Sequence, residues 1–297
     1  MFTKAGRIMT AESMNLYRLL LGVTLVFFTA FIVDENFLFI FSATYASGWF
    51  WLSLSGVIAL GIGDYFGIRM YTILSVRTGS VLSTLAPAVA LILGTLLLSE
   101  RMNIIGLVGM FITLVGVMTM SLGRQERQNI PDHGHGSVTR GIIYGIISAA
   151  CNGAALVLSK KGFVEQSTAD NTVHPLTGSF IRFIAAAIVV LIFMLFKKLL
   201  VKNIKNILSQ PPDVLKTATI GVLLGPLLAV SFAMMAIQTL NAAVTQTIFS
   251  LVPVVALLIS HFILKERITK NSLLGVGVAV VGVVVLIWRE EVLQLIR

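Results

Sequence analysis

Charge is what this sequence has least of. Only 12% of its 297 residues are Asp, Glu, Lys or Arg, while 57% are apolar; an ordinary soluble domain carries roughly 25% and 45–50%. A water-soluble globule of this size needs a charged skin, and these residues are too few to make one. The lone cysteine, Cys151, excludes a disulfide scaffold. Glycine without a three-residue period excludes collagen, and the apolar content excludes disorder. His133 and His135 in a polar loop and His261 at the end of an apolar run are too sparse for a metal set, so neither metal nor cofactor is expected. Paired aspartates, a Gly-Lys-Ser phosphate loop and a histidine central to an apolar run are also missing, which argues against an intramembrane enzyme. The basic loops lack aromatic interleaving and a soluble host domain, which argues against nucleic-acid binding. What remains is a multi-spanning integral membrane protein.

The charge-free windows locate the spans. The longest, Thr217 to Leu264, holds two helices at about 20 residues each, with Gln238-Thr239-Leu240-Asn241 as their turn. The windows that open after Arg18 and Arg182 become long enough when each arginine sits inside its helix. Nine spans are expected, at about 14–33, 48–68, 79–98, 103–122, 141–159, 177–196, 217–237, 243–263 and 271–288. Lys4 and Arg7 precede an apolar run that leads into further spans, so it reads as an anchor rather than a cleaved signal. Gly63/Gly67, Gly141/Gly145 and Gly221/Gly225 suit close helix contacts.

The chain also repeats itself. Ala86-Pro87-Ala88-Val89-Ala90 returns as Val252-Pro253-Val254-Val255-Ala256, Glu100-Arg101 as Glu266-Arg267, and Gly109 and Gly116 as Gly275 and Gly282, all at one offset of 166 residues. With a two-residue slip, Tyr17-Arg18-Leu19 meets Ile181-Arg182-Phe183. Duplicated halves, each with a helix proline and a helix-end Glu-Arg, are the signature of a transporter built from duplicated bundles. Nine spans sort the basic residues fifteen to five in favour of the amino-terminal side, which is then cytoplasmic. The equivalent loops at 34–47 and 197–216 fall on opposite faces, so the halves are inverted.

Pro87 and Pro253, Ser99-Glu100-Arg101, Lys265-Glu266-Arg267 and the Gly-rich helices after them resemble the EamA-type permeases of the drug/metabolite transporter superfamily. The resemblance covers nearly the whole chain. It implies two inverted five-helix repeats around a central cavity, and transport, often export, of small metabolites across a plasma membrane. It also implies that both termini are cytoplasmic, which nine spans do not allow. Measured against Gly141–Arg182, the segment before Arg18 is about one helix short. The expected fold is therefore all-α with nine helices in a 4+5 arrangement: a first repeat over 1–122 lacking its first helix, a polar connection at 123–140, and a five-helix repeat over 141–297. The expected partners are a small-molecule substrate and membrane lipid, and a homodimer is compatible with the sequence.

Ionisable groups inside spans are the first functional candidates. Asp64 faces either a central cavity, as a site for a proton or a cationic group, or the interface near Arg69; its repeat equivalent is Val230. Arg18 and Arg182 either draw an anionic substrate group or, the favoured reading, snorkel to headgroups or pair with loop carboxylates. Glu100 and Glu266, beside Arg101 and Arg267, suit helix-end ion pairs or a closing contact better than substrate binding. Pro87 and Pro253 are expected to break their helices and free carbonyls, for a cavity or for packing alone. Ser148, Asn152, Thr245 and Gln246, with Ser250, offer hydrogen bonds to a metabolite or between helices. Trp49-Phe50-Trp51 suits the aromatic belt. A lipid-carrier flippase on the same scaffold is the nearest rival function.

Overall fold

The computed structural model describes residues 9–41, 46–74, 76–121, 137–166, 173–252, 254–255 and 270–289. Among them every regular element is helical. Helix α1 (Ala11–Val33) starts at Thr10, whose hydroxyl oxygen accepts the Ser13 amide at 3.2 Å, and a 3₁₀ turn (Phe37–Phe41) follows it. Rod α2 (Ala46–Ile73) contains a π-helical segment at Val57–Gly63. Helices α3 (Val76–Ser83) and α4 (Ala86–Leu98) meet at a turn through Thr84 and Leu85. Pro87 stands in the first turn of α4, where its missing N–H costs no helical bond. Ser99, at a left-handed φ of 53°, ends α4. Then come α5 (Ile104–Ser121), α6 (Val138–Gln166), α7 (Pro175–Phe196) and α8 (Leu200–Leu208). Rod α9 (Pro212–Thr239) carries a second π segment at Leu223–Ala229, and α10 (Ala242–Phe249) and α11 (Lys270–Ile287) complete the described chain.

Among the described residues six rods are long and apolar enough to cross a bilayer: Ala11–Val33, Ala46–Ile73, Thr78–Leu98, Val138–Glu165, Pro175–Phe196 and Pro212–Thr239. Ile104–Thr119 and Ser272–Ile287 are shorter apolar helices. Large apolar side chains cover the outside, Phe28, Phe31, Ile188, Ile192 and Phe193 among them. A surface of that kind meets lipid rather than water.

Element bounds recur along the chain. Moving α2 by 166 residues gives α9, π segment included, and the same step takes α3 to α10 and α5 to α11. The turns at Thr84–Leu85 and Ser250–Leu251 share a bonding pattern, with the Leu85 carbonyl accepting from Val89 and that of Leu251 from Val255. Helices α5 and α11 run antiparallel in backbone contact: Gly109 lies against Leu286 and Gly282, and Gly116 against Ala279 and Gly275. A Cβ at Gly109 would stand 2.6 Å from the Leu286 nitrogen, so no larger residue fits there without separating the helices. Helices α1 and α7 are also antiparallel, with Phe183 under Gly22, Phe180 against Phe27, and the Thr177 hydroxyl donating to Asp34. The largest core cluster fills the space between them, around Phe37, Leu52, Phe183 and Met234.

One expectation changes. The stretch 197–216, read as a loop, contains α8, with Val201, Ile204 and Leu208 as an exposed apolar stripe and Asn203 buried. Lys202 and Lys205 hid it from a search for charge-free windows. Within the span placed at 243–263, helix α10 is followed by a turn at Ser250 and Leu251, the counterpart of the Thr84–Leu85 turn inside the Thr78–Leu98 rod, and 256–263 lie outside the described residues. Pro253, Glu266, Arg267, His133, His135 and His261 lie outside the described residues.

Candidate functional site

The two π segments face one cavity of about 290 Å³, walled by α1, α2, α6, α7, α9 and α10. A π turn widens the helix by bonding i to i−5: the Asp64 amide bonds to Ala59, and the Val230 amide to Gly225. Carbonyls inside the first segment accept from side chains, Leu60 from Arg18 Nη2 at 3.3 Å and Gly61 from Asn15 Nδ2 at 3.4 Å. Pro226, which has no N–H to give, stands within the second. The irregular backbone at the cavity is therefore the pair of π segments. Of the two uses expected of a break at Pro87, a cavity or packing alone, the position fits packing: the chain turns at Thr84–Leu85, and Pro87 is buried at the start of α4 and absent from the described wall.

Five of the seven expected polar residues meet at this wall: Arg18, Asp64, Asn152, Arg182 and Gln246. Arg18 and Asp64 form an ion pair across α1 and α2, and Arg18 Nη2 also reaches Asn15 Oδ1 at 3.4 Å. Neither arginine snorkels. Arg18 is 9% exposed and Arg182 4%, because each sits about two turns inside its helix and points inward. Arg69, the neighbour proposed for an interfacial Asp64, instead donates to Glu12 at 2.6 Å, with Tyr65 bonded to the same carboxylate. Arg182 Nη1 donates to the Met234 thioether at 3.1 Å, and its Nε, like that of Arg18, has no partner among the described residues. Among the described residues no carboxylate pairs with it. The α2 backbone passes directly over Arg182 at Gly56, where a Cβ would strike the Arg182 carbonyl.

The remaining candidates lie elsewhere. Ser148 is behind the wall, its carbonyl accepting from Asn152 Nδ2 at 2.8 Å. Thr245 is buried on the far side of α10 and donates to the Asn241 carbonyl at 3.2 Å. Glu100 bonds Lys160 at 2.6 Å and accepts the Ala242 amide at 3.0 Å, which caps α10 and ties it to α4 and α6. Arg101 is exposed, and among the described residues its carbonyl accepts from Asn241 Nδ2 at 3.3 Å. Trp51 donates to Glu165 at 2.7 Å under Lys161, so this aromatic is part of a polar cluster at the α2 end. The π segments were not foreseen; Pro226 mid-span and the Gly61/Gly63 pair were the available signals. A second cavity of about 510 Å³ between α2 and α7 is lined mainly by apolar groups such as Val189, Val190 and Phe193.

The central cavity thus holds two guanidinium groups, one carboxylate and two neutral amides in a mostly apolar wall, an arrangement suited to orienting a small polar molecule. A solved crystal structure shares the fold at a TM-score of 0.64 and 12% identity, over 94% of this chain and 88% of the other. Among curated proteins none matches the sequence. The model of the EamA-like transporter family matches residues 1–122 and 139–288. With that match spanning nearly all of a multi-pass apolar helical chain, the protein belongs to the EamA-like transporter family.

Proposed function

We propose that this EamA-family protein is a permease that moves a small metabolite through the 290 Å³ cavity, by alternating access between two inverted repeats in the plasma membrane. The observation that carries the reading is the convergence of polar groups from both halves of the chain, Arg18 and Asp64 from one and Arg182 and Gln246 from the other, on one cavity. The recurrence of element bounds at 166 residues and the antiparallel α5–α11 contact support a 4+5 arrangement of nine spans over 1–122 and 141–297. Asp64, the one carboxylate among the described wall residues, is where a proton would couple to transport. The exposed stripe of α8 beside Lys202 and Lys205 suits lipid headgroups on the basic, cytoplasmic face. Proteoliposomes of the full chain should release or accumulate a metabolite, and Asp64→Asn should reduce any proton dependence. Folded protein that moves nothing across a broad metabolite panel refutes the proposal.

A further inference from the structure

The cavity is symmetric in its cations and asymmetric in its anions. Arg18 and Arg182 occupy matching places on α1 and α7, and both reach the wall. Arg18 has Asp64. The residue that matches Asp64 on α9 is Val230, which lines the same cavity. Arg182 has no carboxylate at ion-pair distance among the described residues: its Nη1 donates to the thioether of Met234, one helical turn beyond Val230, its Nε is unpartnered as that of Arg18 is, and Asp64 acts on it only from longer range. A thioether is a weak acceptor and carries no charge. An unpaired cation at membrane depth is costly and marks a functional site by default.

We propose that the transported metabolite carries an oxyanion, carboxylate or phosphoryl, and that Arg182 binds it. This rests on the transport reading and names its substrate class. A guanidinium offers parallel N–H donors matched to two oxygens of such a group, and an anion arriving at Arg182 displaces only a thioether. Asp64 already satisfies Arg18, so the described wall keeps one positive charge for the ligand to balance. A cationic substrate would meet that excess charge as repulsion. At about 30 Å³ per water, the cavity has room for roughly ten waters, enough for a small metabolite. Asn152 and Gln246 are placed to bind its uncharged part.

The test uses purified full-length protein and its thermal unfolding midpoint, with L-lactate, succinate and inorganic phosphate as probes. Lactamide and succinamide are the uncharged counterparts, and chloride is the control halide. At ten times Kd a ligand specific for the folded state shifts the unfolding equilibrium about elevenfold. At least one oxyanion should raise the midpoint, the amides and chloride should not, and Arg182→Gln should lose the response. Arg182→Lys, which keeps the charge without the planar fork, should weaken it at least tenfold. Val230→Asp places a carboxylate where Arg182 lacks one; it should raise the midpoint without ligand and abolish the oxyanion response, and Val230→Asn should do neither. The proposal is overturned by amides or chloride as effective as the oxyanions, by no response to any oxyanion, or by folded Val230→Asp behaving like Val230→Asn. Flux measured in parallel separates the two readings. Transport of a neutral or cationic metabolite without an oxyanion response removes this inference and leaves the permease, whereas oxyanion binding with no flux across the panel removes the permease, and with it the substrate assignment, and leaves Arg182 only as an oxyanion site.

Discussion

Replacing Asp64 by Asn removes the carboxylate from the Arg18 pair while keeping size and shape. Breaking a buried ion pair from one side costs about 3–5 kcal/mol, because the remaining charge is stranded. Here the side chains of Arg18 and Asp64 retain 11% and 25% of their exposure, and Arg18 keeps the Leu60 carbonyl and Asn15. Both features place the cost at the lower end, about 3 kcal/mol, or roughly a 150-fold larger unfolding constant. Arg18→Gln strands the opposite charge and should cost a similar amount. Removing both leaves nothing stranded, so the double variant should cost at least about 1 kcal/mol less than the sum of the two. Unfolding in mixed micelles, followed by the fluorescence of Trp49, Trp51 and Trp288, measures all three. Additivity within about 0.5 kcal/mol would refute the claim that these groups are coupled.

Further outcomes follow from the packing. Gly116→Leu should destabilise the protein by about 3 kcal/mol or more, since its Cβ meets the Ala279 backbone, whereas Gly277→Ala, with nothing within 4 Å, should be neutral or stabilising by up to about 1 kcal/mol; thermal midpoints compare them. Lys160→Met should lower the midpoint more than Glu100→Gln, because it leaves a half-used carboxylate among α4, α6 and α10, and combining the two should recover part of the loss. Asn203→Ala removes the acceptor of the Ser13 hydroxyl at 2.7 Å and should cost about 1–2 kcal/mol, with faster amide hydrogen exchange over Leu200–Leu208. Gln246→Leu should leave the midpoint nearly unchanged and lower metabolite flux, since its amide lines the cavity.

Much of this was legible in composition. Charge-free windows mark helices because lipid-facing positions exclude charge, and the 166-residue offset marks positions whose element bounds then recur. Asp64, Arg18 and Arg182 were visible as ionisable groups in apolar surroundings. Their direction was not: an arginine one turn inside a span can bend outward or inward, and the neighbours that decide it, Asp64 and Met234, come from other helices. Thr245 and Gln246 are adjacent in sequence, yet a step of about 100° around α10 puts one on the wall and the other behind it. The π segments escaped notice because an i to i−5 bond has no compositional period, and α8 because its lysines resembled a loop.

The α5–α11 crossing has a mechanical consequence. A two-fold axis through it exchanges Gly109 with Gly275 and Gly116 with Gly282, so the contact of Gly109 with Gly282 becomes that of Gly275 with Gly116. Any rearrangement in which the two halves trade conformations carries this joint onto itself. Under the alternating access proposed above, the backbone contacts of this joint would be the same before and after, would add little to the energy difference between the two end states, and would let it serve as a bearing around which the other helices turn.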